Sequence, residues 1–267
     1  MNKYKDKLIR VFKEDLELLQ DSPKKFWRGI KYIEANAFLA LFDLENIIIP
    51  ESIVDIGEYA FSSCYNLKTV LLPSTPIKIR KAAFEKCNNL EFINLENVQT
   101  IGAYAFYNCR KLDEILLPKE MDFLGEGAFE WCKSLKTIKL PENTNIIKKR
   151  MFKGCESIEY VEMPSTVERI DDMAFEECKK LKVKLPYYLK QIGEVAYCTC
   201  DELEELHIPP YVKKIGECAF RDCKNLKKVY LYNENIIVPN NVFDDGVEFA
   251  VGDMEFKEKN TKKTNEL

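Results

Sequence analysis

Apolar positions recur along this chain with one long, fixed period. With the aromatic of each Ala-Phe pair as position zero, the series runs Phe38, Phe61, Phe84, Phe106, Phe129, Phe152, Phe175, Tyr197, Phe220 and Phe243, in steps of 22 or 23 residues. Ala precedes the aromatic in eight of the ten units, with Met151 and Val242 in the other two. The rest of the unit keeps phase. Cysteine stands at +3 (Cys64, Cys87, Cys109, Cys132, Cys155, Cys178, Cys200, Cys223), and an aliphatic at +6, from Leu44 through Leu226. Apolar pairs such as Val70 and Leu72 follow at +9 and +11, and Pro50, Pro73, Pro118, Pro141, Pro164 and Pro209 stand at +12. Five residues before the next aromatic lies another aliphatic, Ile33 through Val238, followed by Gly in half the units.

Each stretch from +6 to +11 ends in the period-2 alternation of a strand. Proline at +12 cannot donate a ladder hydrogen bond and closes it. The chain then crosses to the opposite side, with Gly expected to ease a sharp bend, and the cluster I-x-x-x-A-F-x-x-C packs back from the convex side. No single unit can bury its apolar face alone, so neighbouring units stack around one continuous core. The expected fold is a solenoid of about ten 23-residue coils, built mainly from short parallel β-strands.

The segment Ile101–Leu117 (IGAYAFYNCRKLDEILL), continued by Pro118, carries the pattern I-G-x-x-A-F-x-x-C-x-x-L-x-x-I-x-L-P at every position. This resembles the BspA-like (Treponema-type) leucine-rich repeat family over about residues 30–250. The resemblance implies a leucine-rich repeat solenoid, and it implies adhesion to host or partner proteins, the common use of such repeats in that family.

Terminal units need caps. Leu8, Val11, Phe12, Leu16 and Leu19 stand at helical spacing among charges within residues 3–20, which predicts an amphipathic helix ended by Asp21-Ser22-Pro23. It reads as an N-terminal capping helix, with a docking helix for a partner as the alternative. At the other end Gly246 takes the cysteine position and Phe249 the leucine position of the last unit, as in a degraded terminal repeat. The expected division is a helical cap over 1–29, the solenoid over 30–252 and a disordered polar tail over 253–267.

Composition narrows the function. Hydrophobic residues make up 46% of the 267, ample for a large core, and a net charge of −4 among 84 Lys, Arg, Asp and Glu describes a mixed surface. A nucleic-acid footprint would show as a clustered basic excess, which this chain does not carry, so no nucleic-acid partner is expected. No window approaches 18 apolar residues, so no membrane span is expected. The first thirty residues lack the apolar stretch of a signal peptide, and neither an Asn-x-Ser/Thr site nor a lipid-anchor motif occurs. The expectation is a cytoplasmic protein; the alternative is the cell surface, by an export route without an apolar signal.

Ten cysteines could mean disulfides, a metal site or redox work. Eight of them occupy one equivalent repeat position, which accounts for them as buried small hydrophobes. Cys198 and Cys200 are the one close pair and His207 the one histidine, without zinc-like spacing, so no metal or cofactor is expected. Cys198 and Cys218 lie off the ladder and are the better candidates for reactive thiols. A histidine-based triad could draw only on His207, and no nucleophile motif appears, so no catalytic residue is assigned and the chain is not expected to be an enzyme.

What remains is surface. Residues at +8 and +10 of each strand point away from the core, onto the concave face. Candidate partner-binding residues there are Ile48, Leu71, Phe92, Asn94 and Leu116 in the first half, and Tyr160, Glu162, His207 and Tyr230 in the second. The alternative for Ile48, Leu71 and Leu116 is sideways packing between strands. Two function classes follow: a non-catalytic module binding a protein partner through the concave strand face, or a cell-surface adhesin recognising host protein or carbohydrate.

Overall fold

A computed structural model describes residues 6–8, 10–233 and 235–252. The fold is a leucine-rich repeat β-solenoid of about eleven turns of about 23 residues. It divides into two compact units, Met1–Ile138 and Lys139–Leu267.

Each coil of the first unit contributes to parallel ladders. The strands at +8 to +10, Asn46–Ile48, Thr69–Leu71 and Phe92–Ile93, pair in register, so that Asn46, Thr69 and Phe92 align, as do Ile48 and Leu71. The aliphatic five residues before each aromatic ends a second short strand. Tyr32–Ile33, Asp55–Ile56, Ile77–Ile79, Val98–Ile101 and Phe123–Leu124 form one parallel sheet with Lys7–Leu8 at its edge. Between the two lies the A-F-x-x-C turn, which forms its own ladder. The N–H groups of Asn36, Phe38 and Ala40 donate to the carbonyls of Glu58, Ala60 and Ser62 at 2.9, 2.7 and 2.9 Å. That geometry alternates the sign of φ, so the residues two before and two after each aromatic are left-handed: Tyr59 and Ser63, Ala82 and Lys86, Tyr104 and Asn108. A non-Gly residue costs about 1–2 kcal/mol there, a cost offset by the inter-coil bonds.

Inside, the aromatics stack face to face. Centroids from Phe38 to Phe61, Phe84, Phe106 and Phe129 step by 4.5, 5.1, 5.5 and 5.8 Å, every ring fully buried. The second unit repeats this from Phe152 through Phe175, Tyr197, Phe220 and Phe243, at 5.4, 4.9, 5.2 and 5.3 Å. The Tyr197 hydroxyl is buried in that column without a hydrogen-bond partner.

The cysteine column has a specific physical reason. Each Phe carbonyl accepts the N–H of its own coil's cysteine, as Phe61 does from Cys64 at 3.2 Å. Its second lone pair takes the thiol of the next coil, as Phe61 does from Cys87 at 3.1 Å. The bond repeats from Cys64, Cys109, Cys132, Cys178, Cys200 and Cys223 to the preceding coil at 3.0–3.4 Å. A cysteine fits the site as a small hydrophobe that is also a weak donor.

Three expectations need correction. Among the described residues the amphipathic helix expected over 3–20 covers only Asp15–Asp21, with a second short helix at Pro23–Phe26. Lys7–Leu8 is instead a strand paired with Tyr32–Ile33, and the Val11 N–H donates to Ala37 O at 2.8 Å. The unpaired edge of the first coil takes the backbone groups that a helix would have kept to itself, and this segment makes the additional turn. Val11, Leu16, Leu19 and Trp27 are buried there, with the Trp27 ring 6.2 Å from Phe38. Secondly, Phe249 does not stand in for the leucine of the last unit. It pairs with Val229, three positions later in the repeat, because the chain turns early at Gly246, whose φ is +89°. Thirdly, the glycine after the second strand answers close approach, not a bend. A Cβ on Gly102 would lie 2.5 Å from the Arg80 carbonyl carbon of the preceding coil. The tail assigned to 253–267 lies outside the described residues.

Candidate functional site

Alternation along each short strand decides what is presented. In Asn46–Ile48 and Thr69–Leu71 the central Ile47 and Val70 enter the core, leaving the flanking side chains outside. Ile48 is 68% exposed, Leu71 39%, Phe92 51% and Leu116 57%. Sideways packing is thus most complete at Leu71, which pairs with Ile48. The structure brings Ile48, Leu71 and Phe92 together on three hydrogen-bonded strands. Asn94 also serves the fold. Its amide accepts from the Leu72 N–H at 2.7 Å and donates to the Leu72 carbonyl at 3.1 Å, extending the pairing by a side chain past the end of Phe92–Ile93.

In the second unit Tyr160 and Glu162 share the strand Tyr160–Glu162. Tyr160 is exposed with the Lys182 ammonium 5.2 Å from its ring centre, and Glu162 is ion-paired to Lys139 at 2.6 Å. His207 and Tyr230 are brought together on adjacent strands, their rings stacked at 4.6 Å and 4°. His207 Nδ1 lies 2.9 Å from the Tyr232 hydroxyl, and the Lys228 ammonium lies 4.9 Å from the Tyr230 ring centre. Burial lowers the His207 pKa below the usual histidine value, against an opposing pull from Glu205.

Reading by repeat position missed a cluster. Tyr187, Tyr188 and Tyr211 meet with centroids 5.1–5.6 Å apart, Tyr188 and Tyr211 being half exposed. They sit at the turn after the +12 proline, where other coils carry polar residues such as Ser74 and Thr75, hydrogen-bonded to Glu51. The signal was the pair Tyr187-Tyr188 after Pro186 and the run Pro209-Pro210-Tyr211. Phe42 and Tyr65 form a second exposed stack, at 5.4 Å.

Little here favours chemistry. Among the described residues no three His, Cys, Asp or Glu side chains stand close enough to hold a metal ion. None of the ten cysteines is in a disulfide, and the eight of the ladder are buried. Burial pushes Cys64, Cys132 and Cys223 up to about 12. The half-buried Cys198 is also raised, first by burial, which is the reverse of an activated thiolate. A cavity of about 10 Å³ beside Phe175, Leu181 and Tyr197 would hold at most one water. No helix among the described residues is long and apolar enough to cross a membrane.

The repeat geometry agrees with known proteins. The model of the BspA type leucine rich repeat region matches residues 24–136 and 122–249, with six copies. This chain belongs to the BspA-type leucine-rich repeat family. Among solved structures, a leucine-rich repeat protein from Bacteroides ovatus is 28% identical with a TM-score of 0.64, covering 82% of this chain and 66% of its own. The chain thus spans just under two thirds of that protein. A Treponema pallidum leucine-rich repeat protein is 29% identical with a TM-score of 0.54, over 57% of this chain and 72% of its own. The pneumococcal vaccine antigen PcpA, at 21% identity and a TM-score of 0.52 over 87% of this chain and 68% of its own, shares the fold. No curated protein matches. Repeats of this family are in general protein-interaction modules, and the solenoid is typically a non-catalytic fold.

Proposed function

We propose that this BspA-type repeat protein is a non-catalytic module that holds a protein partner on the outward, concave side of its +8 to +10 strands. One observation carries the reading: Ile48, Leu71 and Phe92 project large apolar side chains into solvent from paired strands whose alternate residues already fill the core, and Leu116 does so just past the strand Glu114–Ile115. Apolar side chains contiguous on neighbouring strands mark interaction sites, and aromatic anchors supply most of the energy at such sites. In the second unit Tyr160, Glu162, His207 and Tyr230 offer a polar and aromatic counterpart. Asn94 supports the strand edge beside Phe92.

Ten cysteines outside any disulfide suit a reducing compartment, which supports a cytoplasmic location. A second reading, a surface adhesin for host protein or carbohydrate, is supported by the exposed tyrosine cluster at Tyr187, Tyr188 and Tyr211. Cell fractionation separates the two.

The test is affinity capture from native lysate with the wild type and the Phe92→Ala/Tyr160→Ala double variant. Each truncated anchor costs about 2 kcal/mol or more, roughly a thirtyfold loss of affinity. The captured partner should disappear with the double variant and persist with Lys81→Ala/Lys213→Ala, both variants melting like wild type. Unchanged capture by a folded double variant would move the site to another surface.

A further inference from the structure

Two departures from the repeat meet at one place in the second unit. The first is a missing residue. The +12 proline stands six positions after the +6 aliphatic in Ile158 to Pro164 and in Leu203 to Pro209, but only five after it in Leu181 to Pro186. No strand forms in that shortened segment. The outward strand of the coil before it is Tyr160–Glu162 and that of the coil after it is Glu205–Ile208, and the two belong to separate sheets. Among the described residues the Lys182 N–H still donates to Glu159 O at 2.9 Å, but no backbone bond uses the N–H or carbonyl of Val183 or Lys184. The core rows loosen as well. Val161, Met163, Val183 and Leu185 are only partly buried, whereas Leu206 and Ile208 in the next coil are fully buried.

The second departure is Tyr197, the one tyrosine in a column otherwise made of phenylalanine. Its ring stacks like the others, 4.9 Å from Phe175 and 5.2 Å from Phe220, so only the hydroxyl is new. That hydroxyl is buried and meets no hydrogen-bond partner among the described residues. A buried hydroxyl left so destabilises the fold relative to the phenylalanine of the other coils. Between the two departures lies the cavity of about 10 Å³, lined among others by Val161, Leu181, Val183, Lys184 and Tyr197. That volume admits about one water, which when buried needs about two to four polar partners.

We propose that this cavity is a binding site for a single water molecule, held by the Tyr197 hydroxyl and by the backbone groups left open at Val183 and Lys184. The water stands in for the missing residue and restores hydrogen bonding where the strand ladder is interrupted. Burial holds the Tyr197 pKa well above the usual tyrosine value, so the phenol keeps its proton and donates. The volume excludes a larger ligand. The shortened segment and the tyrosine thus compensate each other: a phenylalanine here would leave the water short of a partner, and a full-length segment would leave the hydroxyl without one.

The test compares the full-length wild type with Tyr197→Phe, a change that installs the residue of the other nine coils. Oxygen-17 magnetic relaxation dispersion counts the waters held for longer than the protein takes to tumble. Tyr197→Phe should hold one such water fewer than wild type, with the repeat circular dichroism retained. It should also lower the urea midpoint, because the open backbone loses its link to the core. A hydroxyl that is simply unsatisfied predicts the opposite sign, since deleting it would raise the midpoint. A midpoint that rises, or an equal water count in the two proteins, would overturn the proposal.

Discussion

Truncating one ring in the middle of the aromatic column tests whether the coils share a single core. Phe84 is fully buried between Phe61 and Phe106, its centroid 5.1 Å from one and 5.5 Å from the other, with interplanar angles of 4° and 1°. Phe84→Ala leaves a ring-sized void whose walls cannot close in. The neighbouring rings hang from backbone that is hydrogen-bonded coil to coil, Phe61 N–H to Ala83 O at 2.7 Å and Phe84 N–H to Ala105 O at 2.8 Å. Burial and cavity terms for Phe→Ala come to about 3–5 kcal/mol, and poor relaxation puts this site near the upper figure. That approaches the whole stability of a marginal domain, about 5–15 kcal/mol. Phe84→Leu separates the terms: it refills most of the volume but loses two stacked pairs, at about 0.5–1.5 kcal/mol each. Urea unfolding followed by circular dichroism would place Phe84→Leu between wild type and Phe84→Ala. A Phe84→Ala unfolding free energy within about 1 kcal/mol of wild type would refute a shared column.

Two further outcomes follow from the chemistry of buried groups. In the native protein at pH 8 a thiol reagent should reach at most the half-buried Cys198 and Cys218, and all ten cysteines after denaturation without reductant; protected pairs in the denatured chain would mean disulfides. The pH dependence at His207 has a definite sign. Its folded pKa lies below the unfolded value of about 6.5, so the unfolded chain binds the proton more readily. The stability contributed by the neutral ring is therefore present above about pH 6.5 and is lost as pH falls through the depressed folded value. Melting temperature should drop more between pH 7.5 and 5.5 in wild type than in His207→Gln, and the opposite order would contradict the burial argument.

What could be read from the sequence is what every coil needs. Phe84, Cys87 and Leu90 each stand in a column because the same void, carbonyl or ridge recurs in coil after coil, and the period exposes the requirement by repetition. Where one coil departs from the rest, the period misleads. Phe249 matched the leucine position by counting, but Gly246 shortens the turn and moves it into the strand beside Val229. Leu8 had helical spacing, but a strand edge at Tyr32–Ile33 outweighed that local preference. Asn94 looked like an exposed amide, and only the early end of Phe92–Ile93 shows why it bonds to Leu72 instead. Tyr187, Tyr188 and Tyr211 were invisible for a plainer reason: they occupy turns, to which the repeat assigns no side chain.

Recognition should be sought outside the columns. A residue inside a column carries no information about a partner, since folding alone accounts for it. An outward position carries information in proportion to how badly it suits water. Asn46, Thr69 and Glu114 at +8 need no explanation, because polar side chains on an exposed strand also protect it from unwanted pairing. Ile48, Phe92 and Leu116 do need one, since solvent-facing apolar groups invite aggregation and folding gains little from them. Phe249 and Val251 stand apart from both classes. They occupy core rows at the end of the described residues, beside Val229 and Leu231, so their exposure is not a departure in the side chain itself. Replacing Phe92 should therefore weaken partner binding while the melting curve is kept, and replacing Phe84 should lower the melting temperature first, so that recognition and folding can be lost one at a time.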